Sequence, residues 1–315
     1  MLGFQLCTAL ERKITAVPEP LLSNLTQSWE LALLSANRSP KTITSYLRGA
    51  RLYLEWCGDN EHPEQLTRPL VQRYMGELIA DGKAANTVAL RLAALKQFTR
   101  WLAEEEEIPE DPLVGLRAPK IPTKVTPALS DDQLSALLTA CRGNGFRDRR
   151  DTAIVRLMLE TGIRASETVA LTVADVEPLR GGVVTIRSGK GGKGRTAPFG
   201  PQVGTALDRY LRIRATHNLA ATPALWLGVG GNRGLSYHGL NDTLRDRAKA
   251  AGIPGFHLHL MRHTAATRWL RAGGSEQGLM SVAGWTSRSM LDRYTGASAS
   301  ERAAAEARGL NLGEL

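Results

Sequence analysis

The segment IPEDPLVGLRAPKIPTKVTP, residues 108–127, carries five prolines: Pro109, Pro112, Pro119, Pro122 and Pro127. No α-helix passes through such a run. Each proline lacks a backbone N–H, and its ring clashes with the preceding turn. The stretches on either side are rich in helical periodicity, so the chain must fold in two parts. Its 315 residues suffice for two domains with cores of their own. The basic Lys120 and Lys124 make the segment an extended linker able to lie along an anionic partner.

Ahead of the linker the pattern is wholly helical. SPKTITSYLRGARLYLEWC opens with Ser39 as N-cap and Pro40 at the first helical position. Ile43, Tyr46, Leu47, Ala50, Leu54 and Cys57 then recur at three- and four-residue steps. RPLVQRYMGELIADG repeats the pattern and stops at Gly82. NTVALRLAALKQFTRWLAEEEE sets Val88, Leu92, Leu95 and Leu102 on one face. With a helix around Leu25 to Ala36, this makes a four-helix unit. Behind the linker, LSDDQLSALLTAC is capped by Ser130 and carries two aspartates in its first turn. DTAIVRLMLETG is a helix ended by Gly162. VVTIRSG and RTAPF flank KGGKG, two β-prone runs around a glycine-rich turn, and read as a hairpin. Helices resume over 201–215, 236–251, 259–272, 275–283 and 287–294. The fold class is mainly α with a small β-hairpin or sheet. The expected organisation is a tail over 1–24, a helical domain over 25–107, the linker over 108–128, a mixed α/β domain over 129–296 and a tail over 297–315, in which a short helix is expected.

Charge separates the two halves. Up to Lys124 there are 15 lysines and arginines against 15 aspartates and glutamates; from Pro127 onward there are 25 against 16, which accounts for the net charge of +9. A basic domain attracts polyanions, nucleic acid first among them. The three cysteines, Cys7, Cys57 and Cys141, are odd in number and far apart. That excludes a disulfide framework and a zinc site, and fits a reducing cytoplasm. The apolar start MLGFQLCTAL is shorter than a membrane span, is followed by Glu11, Arg12 and Lys13, and lacks a basic leader and a cleavage site. A cytoplasmic protein without a membrane anchor is expected.

Four segments of the second half carry polar groups that core packing does not require. TGIRASE places Arg164 three residues before Glu167, a spacing that also describes a surface ion pair. Lys190 stands at the hairpin tip, where a solvated lysine is equally ordinary; the turn lacks the spacing of a P-loop. HLHLMRHTAATRW sets His259 and Arg262 three apart on one helical face, with His257 and His263 close by and no carboxylate or cysteine interleaved to suit a metal. GWTSRSMLDRYTG places Tyr294 nine residues after Trp285.

Taken in order, TGIRASE, the hairpin lysine, HLMRHTAATRWL and VAGWTSRSMLDRYTG resemble the motif series of the tyrosine recombinases, or phage-type integrases. The resemblance runs from about Ser39 to the C-terminus and includes a helical core-binding domain ahead of the catalytic one. It implies Arg164, Lys190, His259, Arg262, Trp285 and Tyr294 as catalytic residues. The family position before the nucleophile is His or Trp, and here it is Trp285, whose indole donates one N–H but exchanges no proton near neutrality. The resemblance further implies site-specific cutting and rejoining of double-stranded DNA through a 3′-phosphotyrosyl link, with no ATP, metal or other cofactor, by four protomers on paired sites. The tail after Gly296 is a candidate contact between them.

Chemistry fits these residue types. Arg164 and Arg262 would clamp two non-bridging phosphate oxygens with planar guanidinium forks. Tyr294, a phenol of ordinary pKa about 10, needs a base such as His259 and cationic surroundings. Lys190 is the candidate general acid for the leaving oxygen and Lys193 the runner-up, while Arg195 is too basic. Glu167 would orient Arg164 or His259. Arg38, Lys41, Thr42, Ser45 and Arg48 at the start of the second helix, and Arg91 and Lys96 on another helix face, are candidate DNA contacts, mostly to phosphate. Two alternatives remain. A relaxing enzyme of the type IB topoisomerase kind uses the same tyrosine chemistry without partner exchange. A catalytically silent DNA-binding protein would lack one of the key side chains, and none is missing.

Overall fold

The computed structural model describes residues 21–121, 127–177, 182–187, 194–230, 233–285, 287–288, 290–291 and 307–308. Among these the chain forms two compact units, dividing between residues 123 and 124. The expected tails over 1–24 and 297–315 lie almost wholly outside the described residues.

Four helices build the first unit: α1 (Leu22–Ser35), α2 (Pro40–Asp59), α3 (Arg68–Ala80) and α4 (Ala85–Glu104). Local chemistry sets their starts. The Ser39 hydroxyl accepts the Thr42 N–H, and the Thr67 hydroxyl accepts that of Leu70, each just ahead of a proline in the first turn. The sequence stripe packs as expected: Ile43, Leu47, Ala50, Leu54 and Cys57 are buried against Val88, Leu92, Leu95 and Leu102, and Tyr46 is half-buried. α2 and α4 approach so closely at Gly49 that a Cβ there would stand 2.4 Å from that of Ala94. Trp29, Tyr53, Tyr74 and Phe98 fill the centre.

The proline-rich segment is not all linker. Leu113 and Leu116 are buried in the first core, Lys96 Nζ donates to the Leu116 carbonyl at 3.0 Å, and Arg68 donates to that of Val114. Prolines end the helix, but the leucines between them still fill an apolar surface. The described part of the segment is therefore anchored where an extended linker was expected.

The second unit is mixed. Ser130 and Gln133 form a reciprocal capping box that starts α5 (Asp131–Ala140). α6 (Phe146–Thr161) runs through the core, with Ile154, Val155, Leu157 and Met158 fully buried, and packs against Val203, Leu207 and Tyr210 of α8 (Pro201–Arg214). Gly162 ends α6 in the left-handed region at φ 62°, where glycine carries no steric penalty. α7 (Ala165–Ala170) follows at once. The expected hairpin is present as β2 (Val183–Ile186) antiparallel to β3 (Arg195–Pro198), with Val184 opposite Ala197, and β1 (Val176–Glu177) adds a third strand in the order β1-β2-β3. α9 (Tyr237–Ala250), α10 (Leu258–Arg271) and α11 (Glu276–Ala283) complete the unit. Arg247 of α9 donates to Asp148 and Asp151 of α6 at 2.8 and 2.9 Å, tying those helices together. Among the described residues no helix is long and apolar enough to cross a membrane, and no cluster of His, Cys, Asp or Glu is placed to hold a metal.

Candidate active site

The site grows from the end of α6. The turn at Gly162 reverses the chain, and Arg164 becomes the N-cap of α7. Its backbone N–H donates to Glu167 Oε2 at 2.8 Å, and its Nη1 donates to Oε1 at 2.8 Å. The three-residue spacing of Arg164 and Glu167 thus does two things. It caps a helix, and it fixes the arginine whose side chain remains 25% exposed while Glu167 is buried.

A second arginine shares the carboxylate. Arg195, the first residue of β3, donates Nη1 and Nη2 to Glu167 Oε1 and Oε2 at 3.0 and 2.7 Å. Burial opposes the charged form of Glu167, yet the hydrogen bonds from Arg195 and from the backbone and side chain of Arg164 hold its pKa down at about 2. A planar guanidinium meeting a carboxylate through two parallel bonds is the strongest form of this contact. Arg195, too basic to serve as a proton donor, takes this structural part instead. The signal was available: Arg195 and Ala197 point to the same face of β3, and Ala197 is fully buried.

Three guanidinium groups then converge on the end of α11. Arg195 Nε donates to the Val282 carbonyl at 2.8 Å, Arg262 Nη2 to that of Ala283 at 2.7 Å, and Arg164 Nη2 to that of Gly284 at 3.3 Å. Arg262 Nη1 also donates to the Gly162 carbonyl at 2.6 Å, closing a link between the ends of α6 and α11. A helix C-terminus presents unsatisfied carbonyls and partial negative charge, which compensates cations brought there. This is why Arg262 can be buried at 3% exposure. Gly284, at φ 63°, makes the close approach possible: a Cβ there would lie 2.9 Å from Arg195 Nε.

Trp285 follows directly. It is buried in a small apolar cluster with Leu270, Leu279 and Leu291, and the Arg262 guanidinium lies 5.3 Å from its ring centroid. His259 is exposed on the first turn of α10, one turn before Arg262. The neighbouring His257 has a different task, its Nδ1 accepting the Leu260 N–H at 3.2 Å as the N-cap of α10. The structure thus brings Arg164, Glu167, Arg262 and Trp285 together and adds Arg195. Lys190, its alternative Lys193, and Tyr294 lie outside the described residues.

The candidate DNA contacts divide. Arg38, Lys41, Ser45 and Arg48 are exposed around the start of α2, and Thr42 is half-buried beside the Ser39 hydroxyl at 2.8 Å. Arg91 instead donates to the Tyr74 hydroxyl at 2.8 Å, and Lys96 to the Leu116 carbonyl at 3.0 Å. Those two side chains are partly exposed as well as tied to the first unit, so both remain candidate contacts beside the start of α2.

Comparison with known proteins fits this geometry. Residues 127–301 match the model of the phage integrase family, and residues 27–106 match that of the phage integrase N-terminal SAM-like domain. The tyrosine recombinase XerC of Chromobacterium violaceum is 33% identical over 264 residues, covering 84% of this chain and 86% of that one. The tyrosine recombinase XerD of Staphylococcus epidermidis is 29% identical, covering 84% and 90%. The fold is similar to that of the Tn1549 transposon integrase in complex with transposon right end DNA, with a TM-score of 0.68 at 19% identity over 91% of this chain and 99% of that one. A lambda integrase dimer bound to a core site gives a TM-score of 0.67 at 19% identity over 87% and 76%.

Proposed function

Given that the chain belongs to the phage integrase family and is a tyrosine recombinase acting in site-specific DNA recombination, we propose the following division of labour. Arg164 and Arg262 grip the non-bridging oxygens of the scissile phosphate. Tyr294 Oη attacks phosphorus, its proton passing to His259. The P–O5′ bond breaks as the Tyr294 O–P bond forms, and the departing 5′ oxygen takes a proton from Lys190, with Lys193 as the alternative donor. The product is a 3′-phosphotyrosyl link and a free 5′-hydroxyl, which on another strand reverses the step. A phosphodiester is exchanged for a phosphodiester, so no nucleotide hydrolysis is needed.

The observation that carries this reading is the convergence of two guanidinium groups far apart in sequence, Arg164 at the N-cap of α7 and Arg262 on α10, on successive carbonyls at the end of α11. The carbonyls fix where these guanidinium groups sit, and a phosphate oxygen is an acceptor of the same kind with more negative charge. Glu167 and Arg195 hold Arg164 in place, and Trp285 supports Arg262 from beneath. The basic start of α2 contacts backbone phosphates, and four protomers assemble on two paired sites. The reaction takes place on DNA in the cytoplasm of a bacterial cell or on a phage genome within it, the relatives being bacterial.

The test is capture of the covalent intermediate. The protein is incubated with nicked double-stranded genomic fragments, denatured, and the trapped DNA ends are sequenced. The unmodified chain yields adducts at one preferred sequence, and Tyr294→Phe yields none while still retarding DNA in a gel. Adducts surviving in Tyr294→Phe would remove Tyr294 as the nucleophile. Adducts scattered without sequence preference, with relaxation of any supercoiled plasmid, would replace recombination by simple relaxation.

A further inference from the structure

Along the first part of α6, away from Gly162, the surface sinks into an open basin of about 730 Å³ between α5, α6 and α8. Five arginines line it: Arg142, Arg149, Arg156, Arg209 and Arg212. Arg149 and Arg156 stand two turns apart on one face of α6, and Arg209 and Arg212 one turn apart on α8, so like charges face each other within and between helices. No carboxylate lines the basin. Arg212 pairs with Asp208 at 3.0 Å in an exposed contact of little weight. The other four side chains make no ion pair or hydrogen bond with a described residue. Such crowding of positive charge disfavours the folded unit unless an anion compensates it.

We propose that this basin is a second phosphate-binding site, holding the DNA backbone away from the reacting phosphate. Arginine in place of lysine favours planar, two-pronged contacts to phosphate oxygens. Two rows of guanidinium groups along neighbouring helices suit a strand that repeats its charge at short intervals. A protein partner would want an apolar centre, and the basin offers only Leu138 and Ala206 among its lining residues. From Arg149 to the end of α6 at Thr161 the helix rises roughly 18 Å at 1.5 Å per residue. A phosphate held at Arg149 is therefore distinct from one held at Arg164. The inference rests on DNA being this chain's polyanion, and not on any role given to Tyr294.

The experiment compares duplexes of two lengths, the minimal cleavage site and the same site with long flanks, each titrated across a range of salt concentrations. Arg142→Ala with Arg209→Ala removes two exposed side chains and is used together with a melting curve to confirm folding. On the long duplex the slope of log affinity against log salt should shrink by about 1.8, or 0.9 for each lost phosphate contact, while the minimal site binds as before. Arg149→Gln with Arg156→Gln should reproduce the loss. Equal slopes for parent and variants on the long duplex would overturn the assignment. So would a loss confined to assembly of protomers on the minimal site with the salt slope intact, which would give the basin to a protein carboxylate. Tyr294→Phe should leave both slopes unchanged while abolishing cleavage, so failure of the nucleophile assignment and failure of this site read out separately.

Discussion

At the scale of single residues, the carboxylate of Glu167 decides most. It is buried and shared by two arginines, so its charge is stabilised by groups that themselves need it. Its pKa falls from 4.5 to about 2 on folding. For a depressed carboxylate the stabilisation is complete above the ordinary value and fades as pH drops from there through the folded value. A shift of this size corresponds to about 3 kcal/mol at neutral pH. Glu167→Gln should therefore destabilise the second unit near neutrality, and the gap from the parent should narrow as pH falls below 4.5 and close only as it passes through about 2, read by denaturant titration at each pH. Arg195→Lys keeps the charge but loses the fork, and should slow cleavage about 10- to 100-fold while leaving DNA affinity nearly unchanged, because it acts through Arg164. In the proposed division of labour Arg164 and Arg262 hold the phosphate itself, so Arg164→Lys and Arg262→Lys should each cost about 10²–10³ in rate. Rates come from adduct formation on a nicked site. An Arg195→Lys enzyme with parent kinetics would show that the link through Glu167 is structural alone. The order and spacing of Arg164, Glu167 and Arg262 single them out in the sequence, and the structure places Arg164 against Glu167 and both arginines at the end of α11. The part of Arg195 is not legible in its motif, because it depends on the alternation of β3 and on a carboxylate 28 residues back in the chain.

At the scale of elements, the lesson is which signals local sequence carries. Long helices with a cap and a stripe, such as α2 and α4, are legible because propensity, capping and pattern agree over many residues. The hairpin is legible because two β-prone runs flank a glycine-rich turn. α7 and β1 are not: six and two residues are too short to show a period. Their existence depends on tertiary partners, Glu167 capping one and β2 pairing with the other. The C-terminus of α11 shows how an element becomes part of chemistry. Its last carbonyls fix three arginines only because Gly284 has no Cβ and turns left-handed. Gly284→Ala meets both obstacles. It should lower stability by about 1–2 kcal/mol from the backbone alone, and it should displace Arg195 and slow cleavage as Arg195→Lys does. A melting curve and adduct kinetics on the same preparation separate the two effects. A variant that is destabilised but cleaves at the parent rate would mean that Arg195 can shift without disturbing Arg164.

At the scale of the whole molecule, the prolines mark a break between two parts, but the first core also draws in residues from within the proline-rich segment. Proline spacing told of a helix break, whereas the burial of Leu113 and Leu116 depends on a surface made by residues far back in the chain. The consequence is that each unit has its own apolar centre. Trp29, Tyr53, Tyr74 and Phe98 belong to one, while Ile154, Met158, Leu207 and Tyr210 belong to the other, and among the described residues the two clusters share no member. Cooperativity in unfolding follows shared burial, so two separate cores should melt as two transitions in a calorimeter. Substitutions assign them. Gly49→Leu forces a side chain into the α2–α4 crossing, where even a Cβ would stand 2.4 Å from Ala94 Cβ. It should lower only the transition of the first unit, by at least the about 1–3 kcal/mol typical of overpacking. Ser130→Ala removes the capping box of α5 and should lower only the other transition, by about 1 kcal/mol. Long DNA carrying the site should raise the second transition more steeply at low salt, since the excess positive charge lies from Pro127 onward. If both substitutions moved a single shared transition, the two cores would be energetically coupled and the expectation of independent melting would fail.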